Sequence, residues 1–200
     1  LLWNITKSLR FLKGGVIMQR EEALELMQEK IKQKNLRKHC LAVEAVMAEL
    51  ADYFDKDEQK WRLAGLLHDI DYEQTADKPE KHSQIGADML KEMEMEAKIV
   101  DAVRAHNGMH ELPRKTLMAK ALYASDPLTG LIVASALIHP EKKLEALDTE
   151  FILNRYGDSS FAKGADRDVI ASCKEMDLEL KEFIDLSLNA MQNISDDLGL

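Results

Sequence analysis

The stretch Leu66-Leu67-His68-Asp69-Ile70-Asp71 decides how this chain is read. Its His and Asp end an apolar helical run, Leu63-Ala64-Gly65-Leu66-Leu67. Polar groups inside such a stripe cost free energy unless a partner satisfies them. Imidazole nitrogen and carboxylate oxygen both suit a divalent transition metal. Two adjacent residues cannot close a metal site, so other segments must supply ligands.

Working outward, the histidines are His39, His68, His82, His106, His110 and His139. Four of them fall on apolar helical stripes. His39 shares a face with Leu36, Val43 and Val46, and His68 continues Leu63, Leu66 and Leu67. His82 lies one turn before Ile85 and Gly86, and His106 is on the row of Ile99 and Val103. Each has a plain structural reading, since a lone His on an apolar face is more often a hydrogen-bonded core residue. Asp126 before Pro127 reads as an N-cap with proline at N1, and Asp69 as a cap on the next loop. Burying six such groups together without a ligand would be costly, and one metal site would satisfy them all. His110 and His139 lie outside the pattern and read as surface residues.

The remaining sequence reads as helices almost throughout. Apolar stripes at Ala23, Leu24, Met27 and Ile31 and at Leu36, Cys40, Val43, Met47 and Leu50 give the first two. A third ends at His68, a fourth starts near His82-Ser83, and a fifth covers 97–106, where Asn107-Gly108 stops it. A sixth covers 116–125, is interrupted by Asp126-Pro127, and is followed by another to Pro140. The tail predicts helices at 144–156, 167–176 and 180–194 with a loop at 157–164. No alternating stretch is long enough for a sheet.

Residues 1–17 read as an addition to one domain over 18–200. One reading is a short amphipathic helix. Another follows from the genetic code: Lys13-Gly14-Gly15-Val16-Ile17-Met18 back-translates to a bacterial ribosome-binding sequence just before a start codon, which predicts Met18 as the natural start.

The 200 residues are 46% hydrophobic, which excludes a disordered chain. Uninterrupted apolar runs fall short of the ~20 residues that span a bilayer, so no membrane is expected. The net charge of -9 excludes a broad basic face for a nucleic acid duplex. It leaves room for a small phosphorylated substrate, because a bound metal reverses the charge locally. Cys40 and Cys173 form no CxxC pair and read as free thiols, which fits a cytoplasmic location.

The ordered set His39, His68-Asp69, His82, His106, Asp126 resembles the HD-domain superfamily of metal-dependent phosphohydrolases. The resemblance covers roughly residues 35–140, and His82-Ser83-Gln84-Ile85-Gly86-Ala87 is similar to the family's segment around its third histidine. It implies an all-α helical bundle, here with additional C-terminal helices. It also implies that His39, His68, Asp69 and Asp126 hold a primary metal. His82 and His106 would hold a second, with Asp69 bridging. The ions would be one or two of Mn, Fe, Ni, Co, Zn or Mg. Two departures stand out: His106-Asn107 replaces the His-His pair of some two-metal branches, and Ile70-Asp71 replaces the Glu-Asp pair of the alarmone hydrolases. The cyclic-dinucleotide branch's Gly-Tyr-Pro motif is also missing.

The chemistry implied is hydrolysis of a phosphate ester by metal-activated water. Asp69 and Asp71 are the candidate catalytic carboxylates, with Glu73 beside them as a second acid or as solvated loop. Arg104 and Lys81 are candidate phosphate-binding residues, and Arg114, Lys115 and Lys78 are further cations nearby. Two other readings stay open: an HD-type di-iron oxygenase, which uses the same ligand set, and a metal-binding module without catalysis.

Overall fold

The computed structural model describes residues 11–12, 15–16 and 18–200. β1 (Phe11–Leu12) pairs antiparallel with β2 (Gly15–Val16), Phe11 opposite Val16. At these positions a minimal ladder replaces the expected amphipathic helix; Gly14-Gly15 makes a poor helix former. The rest of the expected leader lies outside the described residues.

The helices are α1 (Arg20–Lys30), α2 (Lys34–Tyr53), α3 (Glu58–Leu67), α4 (Tyr72–Thr75), α5 (Gln84–Glu92) and α6 (Ala97–Ala105). Then follow α7 (Leu117–Ile138), α8 (Thr149–Gly157), α9 (Arg167–Ala171), α10 (Leu180–Gln192) and α11 (Ser195–Leu198). The all-α bundle expected from the stripes is present.

The centre of the bundle is the pair α2 and α3 laid against α7. α3 starts at Asp57, whose side chain accepts from the Lys60 amide at 3.2 Å. It buries Trp61, Leu63, Ala64, Leu66 and Leu67. The helices touch at Gly65, where a Cβ would stand 2.8 Å from both the Glu44 Cα and the Val43 carbonyl oxygen. Glu44 itself is buried on α2, where Arg20 grips it in a bidentate pair, Nε at 2.5 Å and the second nitrogen at 2.9 Å. This pairing ties α1 to α2 and satisfies a charge that would otherwise be stranded.

α7 corrects the expected break at Asp126-Pro127. One 22-residue helix runs straight through Pro127, capped by the Thr116 hydroxyl accepting from the Ala119 amide at 3.1 Å. Proline in a helix interior removes one backbone bond. Here Ala121, Leu122, Ala124, Leu128, Leu131 and Ile132 are buried on both sides of it, and that burial outweighs the loss. Asp126 is therefore a mid-helix residue and no N-cap. By length and mean hydropathy of 1.5, α7 alone would also be long and apolar enough to cross a membrane. In the bundle it packs against α2, α6, α8, α9 and α10. The tail returns to the core through α10, whose Phe183, Ile184, Leu188 and Met191 are buried.

Candidate metal centre

Four helices and one turn converge on one point. His39 comes from the second turn of α2, His68 from the residue after α3, Asp69 next to it, His106 from the end of α6 and Asp126 from the middle of α7. His82 lies outside any α-helix, between the turn Pro79–Lys81 and α5. All six expected ligands meet.

Their atoms fall into two sets that share Asp69. His39 Nε2 lies 3.0 Å from Asp126 Oδ1, 3.2 Å from His68 Nε2 and 3.7 Å from Asp69 Oδ2. His68 Nε2 is 3.4 Å from that same Oδ2. The other oxygen, Asp69 Oδ1, is 3.3 Å from His82 Nε2 and 3.5 Å from His106 Nε2. These two imidazole nitrogens are themselves 3.2 Å apart.

The donor set fits divalent cations, and the tautomers show why. Each histidine uses Nδ1 elsewhere. His68 Nδ1 donates to the Gly65 carbonyl at 2.8 Å, His106 Nδ1 to the Val103 carbonyl at 2.6 Å, and His82 Nδ1 to Asp71 Oδ1 at 2.9 Å. The Thr129 hydroxyl donates to the Asp126 carbonyl at 2.9 Å, which leaves its oxygen to accept from His39 Nδ1 at 3.2 Å. With every Nδ1 carrying the proton, all four Nε2 lone pairs point inward at one another and at carboxylates. Such a cluster needs positive charge at its centre.

Protons take that place when no metal does. Burial lowers the His82 pKa, but hydrogen bonds with Asp69 and Asp71 outweigh it and raise the value to about 10. Burial likewise lowers that of His39, and Asp126 turns the balance upward. His68 has no comparable bond, and burial takes it down to about 4. Burial favours the neutral form of Asp69 and Asp126, yet the surrounding imidazoles hold both carboxyls below their usual range. Since His82 is protonated at neutral pH, metal must displace a proton. Loading metal at pH 7 is expected to release protons, and affinity should rise as pH rises towards about 10. Titration calorimetry in buffers of different ionisation enthalpy measures this; an enthalpy independent of buffer would contradict it.

Asp126→Asn separates a ligand from a cap. Asn caps about as well as Asp, so a cap would barely notice the change. From the middle of α7, loss of the charge is expected to cost most of the metal while circular dichroism stays unchanged. A fully metallated Asp126→Asn protein would contradict this.

The other expected site residues are placed differently. Asp71 is fully buried behind His82, with Oδ1 on His82 and Oδ2 accepting the Gly86 amide at 2.7 Å. Both oxygens are occupied, so Asp71 orients His82 and does not face the cleft. Glu73 accepts the amides of Lys32 at 2.8 Å and Gln33 at 2.6 Å, at the start of α2. The Arg104 guanidinium is held by Gln84 at 2.9 Å and Asp88 at 2.6 Å, tying α6 to α5. Lys81 is exposed in the turn just before His82. Arg114 stacks over the Tyr123 ring at 3.9 Å. His110, expected at the surface, is half-buried, and its Nε2 donates to the His82 carbonyl at 2.8 Å. His139 stacks edge-on against Phe151.

Two clefts border the cluster. One, of 480 Å³, runs past His106, Met109, Tyr123 and Asp166; the other, of 370 Å³, past Asn35, His39 and Tyr72. His82 and Asp126 line both. Tyr72, Tyr123 and Thr129 were not singled out from the sequence. Only Thr129 left a signal there: a hydroxyl three residues after Asp126, on the same face of an apolar helix.

Helices that gather histidines and aspartates into one cluster compatible with divalent metal define a protein of the His-Asp class. The family model of the HD domain matches residues 36–139, more than half of the chain, and the chain belongs to that family. It is 32% identical over 97 residues to a protein named Ribonuclease Y from Oleidesulfovibrio alaskensis, covering 48% of this chain and 18% of the relative. It is 26% identical over 168 residues to Ribonuclease Y of Enterococcus faecalis, covering 82% of this chain and 32% of that one. A Ribonuclease Y of Clostridium perfringens is 26% identical over 171 residues, with the same shares. The chain thus spans a third or less of the length of these relatives.

Proposed function

We propose that the chain is a metal-dependent phosphohydrolase that cleaves the phosphate ester of a nucleotide or another small phosphorylated metabolite. The observation that carries this reading is Asp69, which turns one oxygen to His39 and His68 and the other to His82 and His106. That arrangement suits a pair of divalent ions bridged by one carboxylate. Ions held there supply Lewis acidity towards a phosphoryl oxygen and a water activated for attack at phosphorus. The chain's own residues do the positioning. Asp71, Thr129 and the Gly65 and Val103 carbonyls fix the four imidazoles, so little reorganisation is left for the reaction. The clefts give substrate access to an otherwise buried cluster. Cys40 and Cys173, both buried and unbridged, support a cytoplasmic location.

A second reading is a phosphodiester in single-stranded RNA. It is favoured by the two clefts that meet at His82 and Asp126, which suit a phosphate carrying groups on both sides, and by the name of the relatives. The di-iron oxygenase has the same ligand types and is separated by metal chemistry.

The test is metal analysis of protein purified without chelator, followed by a panel of p-nitrophenyl phosphate, nucleoside mono- and triphosphates and short single-stranded RNA. Hydrolysis of a small phosphate ester that chelator stops and a divalent metal restores is expected. Preference for RNA would favour the second reading. Mixed-valent iron with oxygen consumption, or no turnover with any metal, would overturn hydrolysis altogether.

A further inference from the structure

The two halves of the cluster are held in different ways. His39 and Asp126 project from the interiors of long core helices, and His68 ends a helix packed on one of them. His82 has no helix under it. The residue after it, Ser83, is fully buried at φ 71°, a left-handed conformation unusual for a residue with a side chain.

Asp71 orients the His82 ring, and the turn that follows His106 holds its backbone. His110 Nε2 donates to the His82 carbonyl at 2.8 Å. Asn107 Nδ2 reaches the same carbonyl at 3.3 Å and that of Pro79 at 3.4 Å, while its Oδ1 accepts the Met109 amide at 3.0 Å. On the far side, the Ser83 hydroxyl donates to the Arg104 carbonyl at 3.0 Å. The backbones on either side of His82 and His106 are therefore laced together by side chains. That lacing holds together the backbones that carry the two Nε2 atoms, which lie 3.2 Å apart.

We infer that Asn107 and His110 form a latch that sets the affinity of the His82–His106 half for its metal, independently of the half built on His39, His68 and Asp126. This rests on the two-metal reading above. Asn107 Nδ2 and His110 Nε2 both donate to the backbone of the segment that carries His82. They are positioning residues. Hydrogen-bond partners behind a metal ligand typically change metal affinity by about 10–100-fold. Weakening the latch should lower the affinity of one ion and leave the other.

The test titrates the full chain with Mn2+, following ions bound by equilibrium dialysis and the electron paramagnetic resonance signal. An exchange-coupled pair and an isolated ion give different spectra. The wild type is expected to fill both halves and show the coupled pair. His110→Ala should keep the first ion at unchanged affinity and need about tenfold or more Mn2+ to regain the coupled signal. His110→Gln, whose amide can donate to the same carbonyl, should restore it. Asn107→Ser keeps an oxygen for the Met109 amide but is too short to reach His82, and should act like His110→Ala. It also serves if His110→Ala melts early in its metal-free form. A coupled pair of wild-type affinity in both His110→Ala and Asn107→Ser would overturn the latch. A wild type that saturates at one ion would overturn the two-metal reading itself, and the latch with it.

Discussion

Asp69→Ala is expected to leave the helices folded and to remove metal from both halves of the cluster together. Asp69 turns one oxygen to each half: Oδ2 lies 3.4 Å from His68 Nε2 and Oδ1 lies 3.3 Å from His82 Nε2. Removing it leaves four imidazoles with inward lone pairs and one carboxylate, Asp126, on a single side. Hydrolysis should fall by about 10³-fold or more, which corresponds to about 4 kcal/mol in the barrier. His82→Ala with His106→Ala should instead leave about one ion per chain, because His39, His68, Asp69 and Asp126 remain. The contrast between the two variants, read as metal per chain and as turnover, is the expected result. Equal metal loss in both would contradict the division of the cluster into halves.

The largest effect on stability is expected at Gly65. A methyl group there would stand 2.8 Å from the Glu44 Cα and the Val43 carbonyl oxygen. Both are backbone atoms, so no side chain can rotate aside and α3 must move off α2. Overpacking of this kind costs about 1–3 kcal/mol or more. Gly→Ala in a helix returns up to about 1 kcal/mol in propensity. The close contact wins, and Gly65→Ala should lose about 1–2 kcal/mol net, with Gly65→Val losing more. For a chain of this length each kcal/mol lowers the melting temperature by about 2–4 °C. The Gly65 carbonyl also holds His68 Nδ1 at 2.8 Å, so the same shift should loosen metal binding. A wild-type melt in Gly65→Val would show that α2 and α3 have slack between them.

Much of this was legible in the sequence because helical periodicity and metal-ligand types are both local signals. His68-Asp69 stands out against Leu63, Leu66 and Leu67 without any knowledge of the fold. The stripe positions of His39 and His106 mark them in the same way, whereas His82, read from the same helical pattern, lies in the turn before α5. The break expected at Asp126-Pro127 shows where a local rule fails. Proline costs one helical bond, whereas the buried residues on either side of it gain from a continuous α7, and only the packed structure contains that gain.

The supporting residues were illegible for a related reason. Asp71 and Glu73 sit one and three residues beyond Ile70 and invite a catalytic role. Their partners, His82 and the amides at the start of α2, lie far away in sequence. Arg104 looks like a phosphate ligand beside His106 until Gln84 and Asp88 take its guanidinium. His110 lies off every apolar stripe, and the carbonyl it holds is 28 residues away. Ligands are named by their chemistry, but residues that hold ligands are named only by where the chain returns.

The most direct test of the central claim is a crystal structure of the full chain grown in excess Mn2+, with anomalous differences collected at the manganese edge. Two peaks are predicted, one against His39, His68 and Asp126 and the other against His82 and His106, with Asp69 bound to one ion through Oδ2 and to the other through Oδ1. A single peak at full occupancy, with His82 and His106 unligated, would contradict it.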